Sequence, residues 1–277
     1  MKKILALGLT VLSMNVFSQS YLILNNGTTL TTDKAGYVYD FSNFVMPYKV
    51  TLNGGSFFLE EDKLVTVNDQ GFLYRPDFKV KKAKGKGSNY LLDDKLGLVT
   101  ITSQGTYYTY DKDAAVKKIA TFGGNFFTVV ADSKRKIVDL YTVDSKGGYF
   151  KPTLAELNPA QINQIGGNYF TTERGTTFTV SKDGFVFPKT NLVAGVIVKK
   201  GGNFFVNSLG SLFTVSDDGL LLLPILPGNL VPANIVKLGA NYMIDNAGKI
   251  FVVDSAGVIS ERTITEHDLL NTKVLSL

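Results

Sequence analysis

Few residues in this chain can do covalent chemistry. Of its 277 residues none is Cys and one is His. Without Cys there is no thiol nucleophile, no disulfide and no thiolate zinc site. His267 lies in a polar tail between Glu266 and Asp268. No Ser or Cys constellation stands beside it, so it reads as a surface residue. Carboxylates remain. Asp33, Asp144, Asp183, Asp217, Asp218 and Asp254 each sit in a short motif that ends in Gly. A calcium loop places several oxygens at alternating positions within about a dozen residues. Each of these motifs offers only one or two acids, so no metal is expected. No cofactor motif is present, and no cofactor or catalytic residue is assigned. A glycoside hydrolase needs two facing carboxylates. That enzyme class, or a lyase, is the alternative to a binding role.

Two groups of cations are candidate contact residues. Lys79, Lys81, Lys82, Lys84 and Lys86 form the strongest charge run. They read as a solvated strand edge, or as a contact for anionic polysaccharide, lipid head groups or an acidic protein. Lys134, Arg135 and Lys136 form the second group, whose place depends on the repeat described below.

Those residues are positioned by a repeat. Gly123-Gly124-Asn125-Phe126-Phe127 recurs as Gly166-Gly167-Asn168-Tyr169-Phe170 and as Gly201-Gly202-Asn203-Phe204-Phe205. Looser copies are Gly54-Gly55-Ser56-Phe57-Phe58, Gly87-Ser88-Asn89-Tyr90 and Gly239-Ala240-Asn241-Tyr242, with Ser20-Tyr21-Leu22 a worn first copy. A second motif follows at short distance, as in Thr179-Val180-Ser181-Lys182-Asp183-Gly184 and Thr214-Val215-Ser216-Asp217-Asp218-Gly219. Repeats therefore start near 20, 56, 89, 125, 168, 203 and 241, and residues 19–277 form one domain.

Each unit reads as four short strands, for example Asn203 to Val206, Ser211 to Val215, Leu220 to Leu223 and Asn234 to Lys237. The Asp-Gly motifs read as tight hairpins, with Gly in the left-handed position. The expected fold is all-β: a seven-bladed β-propeller of four antiparallel strands per blade. The sequence resembles seven-bladed β-propeller proteins in architecture, and no Trp-bearing signature ties it to a narrower family. Each blade is expected to be one contiguous segment that opens on an innermost strand at the Asn. The last strand falls around Lys273 to Leu277. The mid-strand Thr residues and the aromatic pairs read as packing. The Asn/Ser ring reads as bend support around one channel mouth, with anion or sugar binding as the sharper reading.

The unit from Asn125 to Asn168 is the longest. Its extra residues fall around Ala131 to Lys136 and around Thr153 to Ala160. Both loops are expected on one face, where Lys134, Arg135 and Lys136 would meet an acidic partner.

Residues 1–18 have the layout of a signal peptide: Lys2-Lys3, an apolar run from Ile4 to Leu12, and Ser18 before Gln19. The expected product is periplasmic or secreted, with no lipobox Cys and no transmembrane segment. Its net charge would fall from +5 to +3 as Lys2 and Lys3 leave. That is too little to argue for nucleic acid. A monomeric, non-enzymatic scaffold that binds a protein or an envelope polysaccharide is the functional expectation.

Overall fold

The computed structural model describes residues 21–23, 29–35, 38–41, 50–110, 119–134, 137–154, 157–189, 195–239 and 241–262. The signal sequence, His267 and the strand expected at 273–277 lie outside them, as do Arg135 and Lys136.

The described chain is a β-propeller. Six blades have four antiparallel strands each. Blade one is Val50–Asn53, Phe57–Glu60, Lys63–Val67 and Leu73–Tyr74. Blade two is Ala83–Lys86, Tyr90–Asp93, Gly97–Ile101 and Tyr107–Tyr110. Blade three is Ile119–Phe122, Phe126–Asp132, Ile137–Val143 and Tyr149–Phe150. Blade four is Ile162–Ile165, Tyr169–Thr172, Thr177–Val180 and Val186–Lys189. Blade five is Ile197–Lys200, Phe204–Asn207, Leu212–Val215 and Leu221–Leu222. Blade six is Ile235–Leu238, Tyr242–Asp245, Ile250–Val253 and Ile259–Arg262. The expectation of seven four-stranded blades is corrected to six. A further sheet, Tyr21–Ile23, Thr29–Thr32 and Val38–Phe41, has three strands among the described residues.

The phase also differs from expectation. The strand ahead of each Gly-Gly bend pairs with the strand after it, as Lys200 with Phe205. The Asn therefore opens the second strand of a blade, and Asn234 to Lys237 belongs with blade six. Sequence periodicity gives the repeat length but cannot say which side of a bend a sheet begins on.

Burial explains the strand pattern. The second and third strands of blades four and five are buried along their whole length, while the first and fourth are half-exposed. The aromatic pairs place one ring on each face, because side chains alternate along a strand. Phe126 meets Phe170 of the next blade at 5.0 Å, and Phe127 meets Tyr90 of the previous one at 5.4 Å. Both are fully buried, so these pairs are inter-blade core, as the plainer reading held.

Blade contacts explain two repeated residues further. A Cβ on Gly124 would stand 2.2 Å from the Gly167 carbonyl oxygen, so neighbouring bends approach as only Gly allows. The repeated Thr is more than packing. Thr31, Thr66, Thr100, Thr179 and Thr214 each donate Oγ1–H to the carbonyl of the next turn glycine, at 2.6–2.7 Å.

Candidate functional site

In an antiparallel sheet of sequential strands, the 1–2 and 3–4 connections share one end. All the Gly-Gly bends and Asp-Gly turns therefore meet at one end of the propeller. The turns form a closed ring of backbone hydrogen bonds. Each N–H donates to the carbonyl of the next turn: Lys34 to Asp69, Asp69 to Ser103, Ser103 to Ser145, Ser145 to Lys182, Lys182 to Asp217, Asp217 to Ser255, and Ser255 back to Lys34. The three-stranded sheet supplies Lys34 and so takes part in the closure.

Within this ring lies a cavity of about 180 Å³. Its wall includes Lys34, Asp69, Ser103, Ser145, Lys182 and Asp217, and below them Asn89, Asn125, Asn168, Asn203 and Asn241. It is smaller than the ~300 Å³ at which small-molecule sites begin, so it suits one unit or one side chain of a larger ligand. The amides of Asn89, Asn125 and Asn168 donate to backbone carbonyls of the following blade, at 3.0–3.4 Å. Their role is therefore structural. The Oδ1 atoms of Asn89, Asn125, Asn168 and Asn203 are buried acceptors without a hydrogen-bond partner.

The charges at the mouth are ordered. Lys34 Nζ lies 2.7 Å from Asp69 and 2.9 Å from Asp217, which ties the three-stranded sheet to blades one and five. Burial opposes the charge on Lys34, but Asp217 and Asp69 outweigh it and hold the amine above its usual value. Burial likewise raises the Asp69 carboxyl, which Lys34 pulls back in part. Because both carboxylates bond one ammonium, they stand within roughly 6 Å of each other, near the ~5–5.5 Å of a retaining glycosidase. Lys34 fills the gap in which a glycosidic bond would have to sit. Across the seven turns the chain has Asp at 33, 69, 144, 183, 217, 218 and 254 against Lys at 34, 146 and 182. The turns themselves are therefore acidic, while Lys86 and Lys200 stand just ahead of the Gly87-Ser88 and Gly201-Gly202 bends at the same end.

Exposed apolar side chains stand at the same end, outside the cavity wall. The residue after the turn Gly is exposed in four turns: Phe72, Phe185, Leu220 and Val258, at 52–60%. Two positions further on stand Tyr74, Phe187 and, in their own turns, Tyr39 and Tyr108, all exposed. The position after the turn Gly was visible in the repeat, but sequence reasoning fixed on the Phe-Phe pairs instead.

The predicted contact residues lie elsewhere. Lys134 is exposed in the hairpin between the second and third strands of blade three, at the opposite end from the turns. The loop running into the short 3₁₀ turn Pro159–Gln161 leaves the same end, as expected. Lys79 bridges to Lys63 and pairs with Asp62 at 3.6 Å. Lys84 pairs with Asp94. Lys81 and Lys82 are exposed ahead of the first strand of blade two, and Lys86 is half-buried at its end. The lysine run is thus partly paired along one strand edge and does not join Lys134 in a single described cluster. Among the described residues no group of acids or His could hold a metal, and no helix is long and apolar enough to cross a membrane.

No family model and no curated protein matches the chain. Solved structures that it resembles include a streptogramin B lyase, at 15% identity and a TM-score of 0.31, with 91% of this chain and 96% of that one covered. A virginiamycin B lyase from Staphylococcus aureus with quinupristin gives 17%, 0.35, 89% and 88%. The extracellular domain of a hybrid two-component system from B. thetaiotaomicron gives 13%, 0.29, 92% and 39%.

Proposed function

We propose that the protein is an exported, non-enzymatic binding propeller, periplasmic or secreted, that takes a protein or an envelope polysaccharide at the turn-bearing end. One observation carries this reading. The closed ring of turns walls a cavity lined by charged, polar and aliphatic side chains, and exposed apolar side chains stand at the same end. Phe72 and Phe185 are exposed at the same end as the cavity and would add apolar contact area to a ligand seated there. The signal-like sequence before Gln19 supports export. The lysine-bearing end is the weaker candidate, because its cations are partly paired. Hydrolysis by Asp69 and Asp217 is the weaker chemistry, because the Lys34 ammonium sits between the two carboxylates.

The test uses the full chain, immobilised, against separated protein and polysaccharide fractions of the cell envelope. Ser145→Trp is expected to fill the cavity and abolish capture while the melting temperature holds. Lys134→Ser is expected to change nothing. Capture unaffected by Ser145→Trp would overturn the reading. Release of new reducing ends from the polysaccharide fraction, lost in Asp217→Asn, would replace binding with hydrolysis.

A further inference from the structure

Resting on that reading, we infer that the turn-bearing end docks a protein segment that presents a Lys or Arg side chain flanked by apolar residues.

The inference combines three features of one surface. The first is charge. Asp outnumbers Lys by more than two to one across the turns, although the whole chain is cationic. Asp218 is open, with 76% of its side chain exposed and a 3.8 Å contact to Lys182. Lys34 answers only Asp69 and Asp217. An approaching cation therefore meets more carboxylates than ammoniums at the turns. The second is hydrogen-bonding sense. The cavity wall carries four carboxylates, Asp33, Asp69, Asp217 and Asp254, against the two ammoniums of Lys34 and Lys182. An ammonium or guanidinium brings only donors and is the matching partner. The third is shape. The cavity holds one side chain, not a folded domain. At the same end Phe72, Tyr74, Phe185 and Leu220 are exposed and offer apolar area to the neighbours of an inserted cation. A neutral polysaccharide would use the rings but not the charge. An acidic one would meet more carboxylates than ammoniums at the turns.

Peptides selected from a random displayed library on the immobilised full chain test this. Enrichment of sequences with a central Lys or Arg between apolar residues is expected. Replacing that cation with Gln in the best synthetic peptide should weaken binding by roughly tenfold or more. Asp218→Asn and, separately, Phe185→Ser should each weaken it severalfold. Both residues are exposed, so neither change should unfold the protein. Raising salt should weaken binding further. Enrichment of acidic peptides, or of none, would overturn the inference. If Ser145→Trp still abolishes capture of envelope polysaccharide in that case, the binding reading stands and only the cationic protein partner falls. If the selected peptides bind Ser145→Trp as tightly as the native chain, the cavity is not the site and both fall.

Discussion

Replacing Gly219 with Ala separates two penalties that the repeat motif confounds. Gly219 and Gly210 both have φ of 79°. An added Cβ pays the left-handed cost at either site, about 1 kcal/mol. Their surroundings differ. At Gly210 nothing stands within 4 Å of the new atom, whereas at Gly219 it would lie 2.8 Å from Phe187 Cδ2 and 2.9 Å from Cε2. Crowding of that kind adds ~1–3 kcal/mol, and partial exposure of the Phe187 ring keeps it near the lower end. Gly210→Ala should therefore cost about 1 kcal/mol and Gly219→Ala about 2–3 kcal/mol. The gap corresponds to a melting temperature lower by roughly 2–8 °C for a domain of this size. Thermal unfolding followed by circular dichroism, with urea unfolding to check that the slope is unchanged, reads both variants. Gly248→Ala, at φ 83° with nothing within 4 Å, should behave like Gly210→Ala. Equal losses at Gly219 and Gly210 would show that the turns do not press on the neighbouring blade, and the account of blade packing would be wrong. Sequence reasoning treats Gly210 as an ordinary loop residue. The structure makes it a left-handed hairpin glycine that lacks a neighbour.

Three further outcomes are expected. Thr66→Val removes a 2.6 Å bond to the Gly105 carbonyl and should cost about 1 kcal/mol, whereas Thr142→Val removes a hydroxyl that has no partner and should be neutral or stabilising in the same urea titration. Burial pushes the Lys86 amine down to about 8 from 10.5, so the folded state binds fewer protons than the unfolded one between those values. Stability from this group should rise as pH climbs from 8 to 10.5, and Lys86→Met should flatten that rise; an identical profile in the variant would refute the assignment. Leu269, Val274 and Leu277 repeat the spacing of Leu230, Ile235 and Leu238, which leads into a first strand, and among the described residues the three-stranded sheet is the one without a first strand. Ending the chain at Arg262 should therefore lower the melting temperature by several degrees, and an unchanged value would show that the sheet draws nothing from that segment.

Much of the architecture was legible because it is repeated. Seven turn glycines and four aromatic pairs leave little choice but short antiparallel strands stacked face to face. Phase was not legible, since Lys200 and Phe205 flank a Gly-Gly bend that reads equally well as a hairpin within a blade or as a crossing between blades. The site was missed for a related reason. Charged residues draw the eye when they are contiguous, as at Lys79 to Lys86, and the mouth acids are spread one or two per repeat. Only the closure of the turns brings Asp69 and Asp217 onto the same lysine. The exposed rings were overlooked because Phe72 and Phe185 look like any other aromatic until the sheet shows that their position faces outward. The Thr hydroxyls had a chemical role beyond packing, but their acceptor is a turn glycine in the next blade, about forty residues away.

Hydroxyl-radical footprinting of the exposed rings, with and without bound envelope fraction, tests most directly that the turn-bearing end is the binding surface. Oxidation of Phe72, Tyr74, Tyr108 and Phe185 should fall on binding, while that of Leu209 and Val236, which lie outside the turns, should not change. Protection of Leu209 and Val236 with the four rings still fully oxidised would contradict the account.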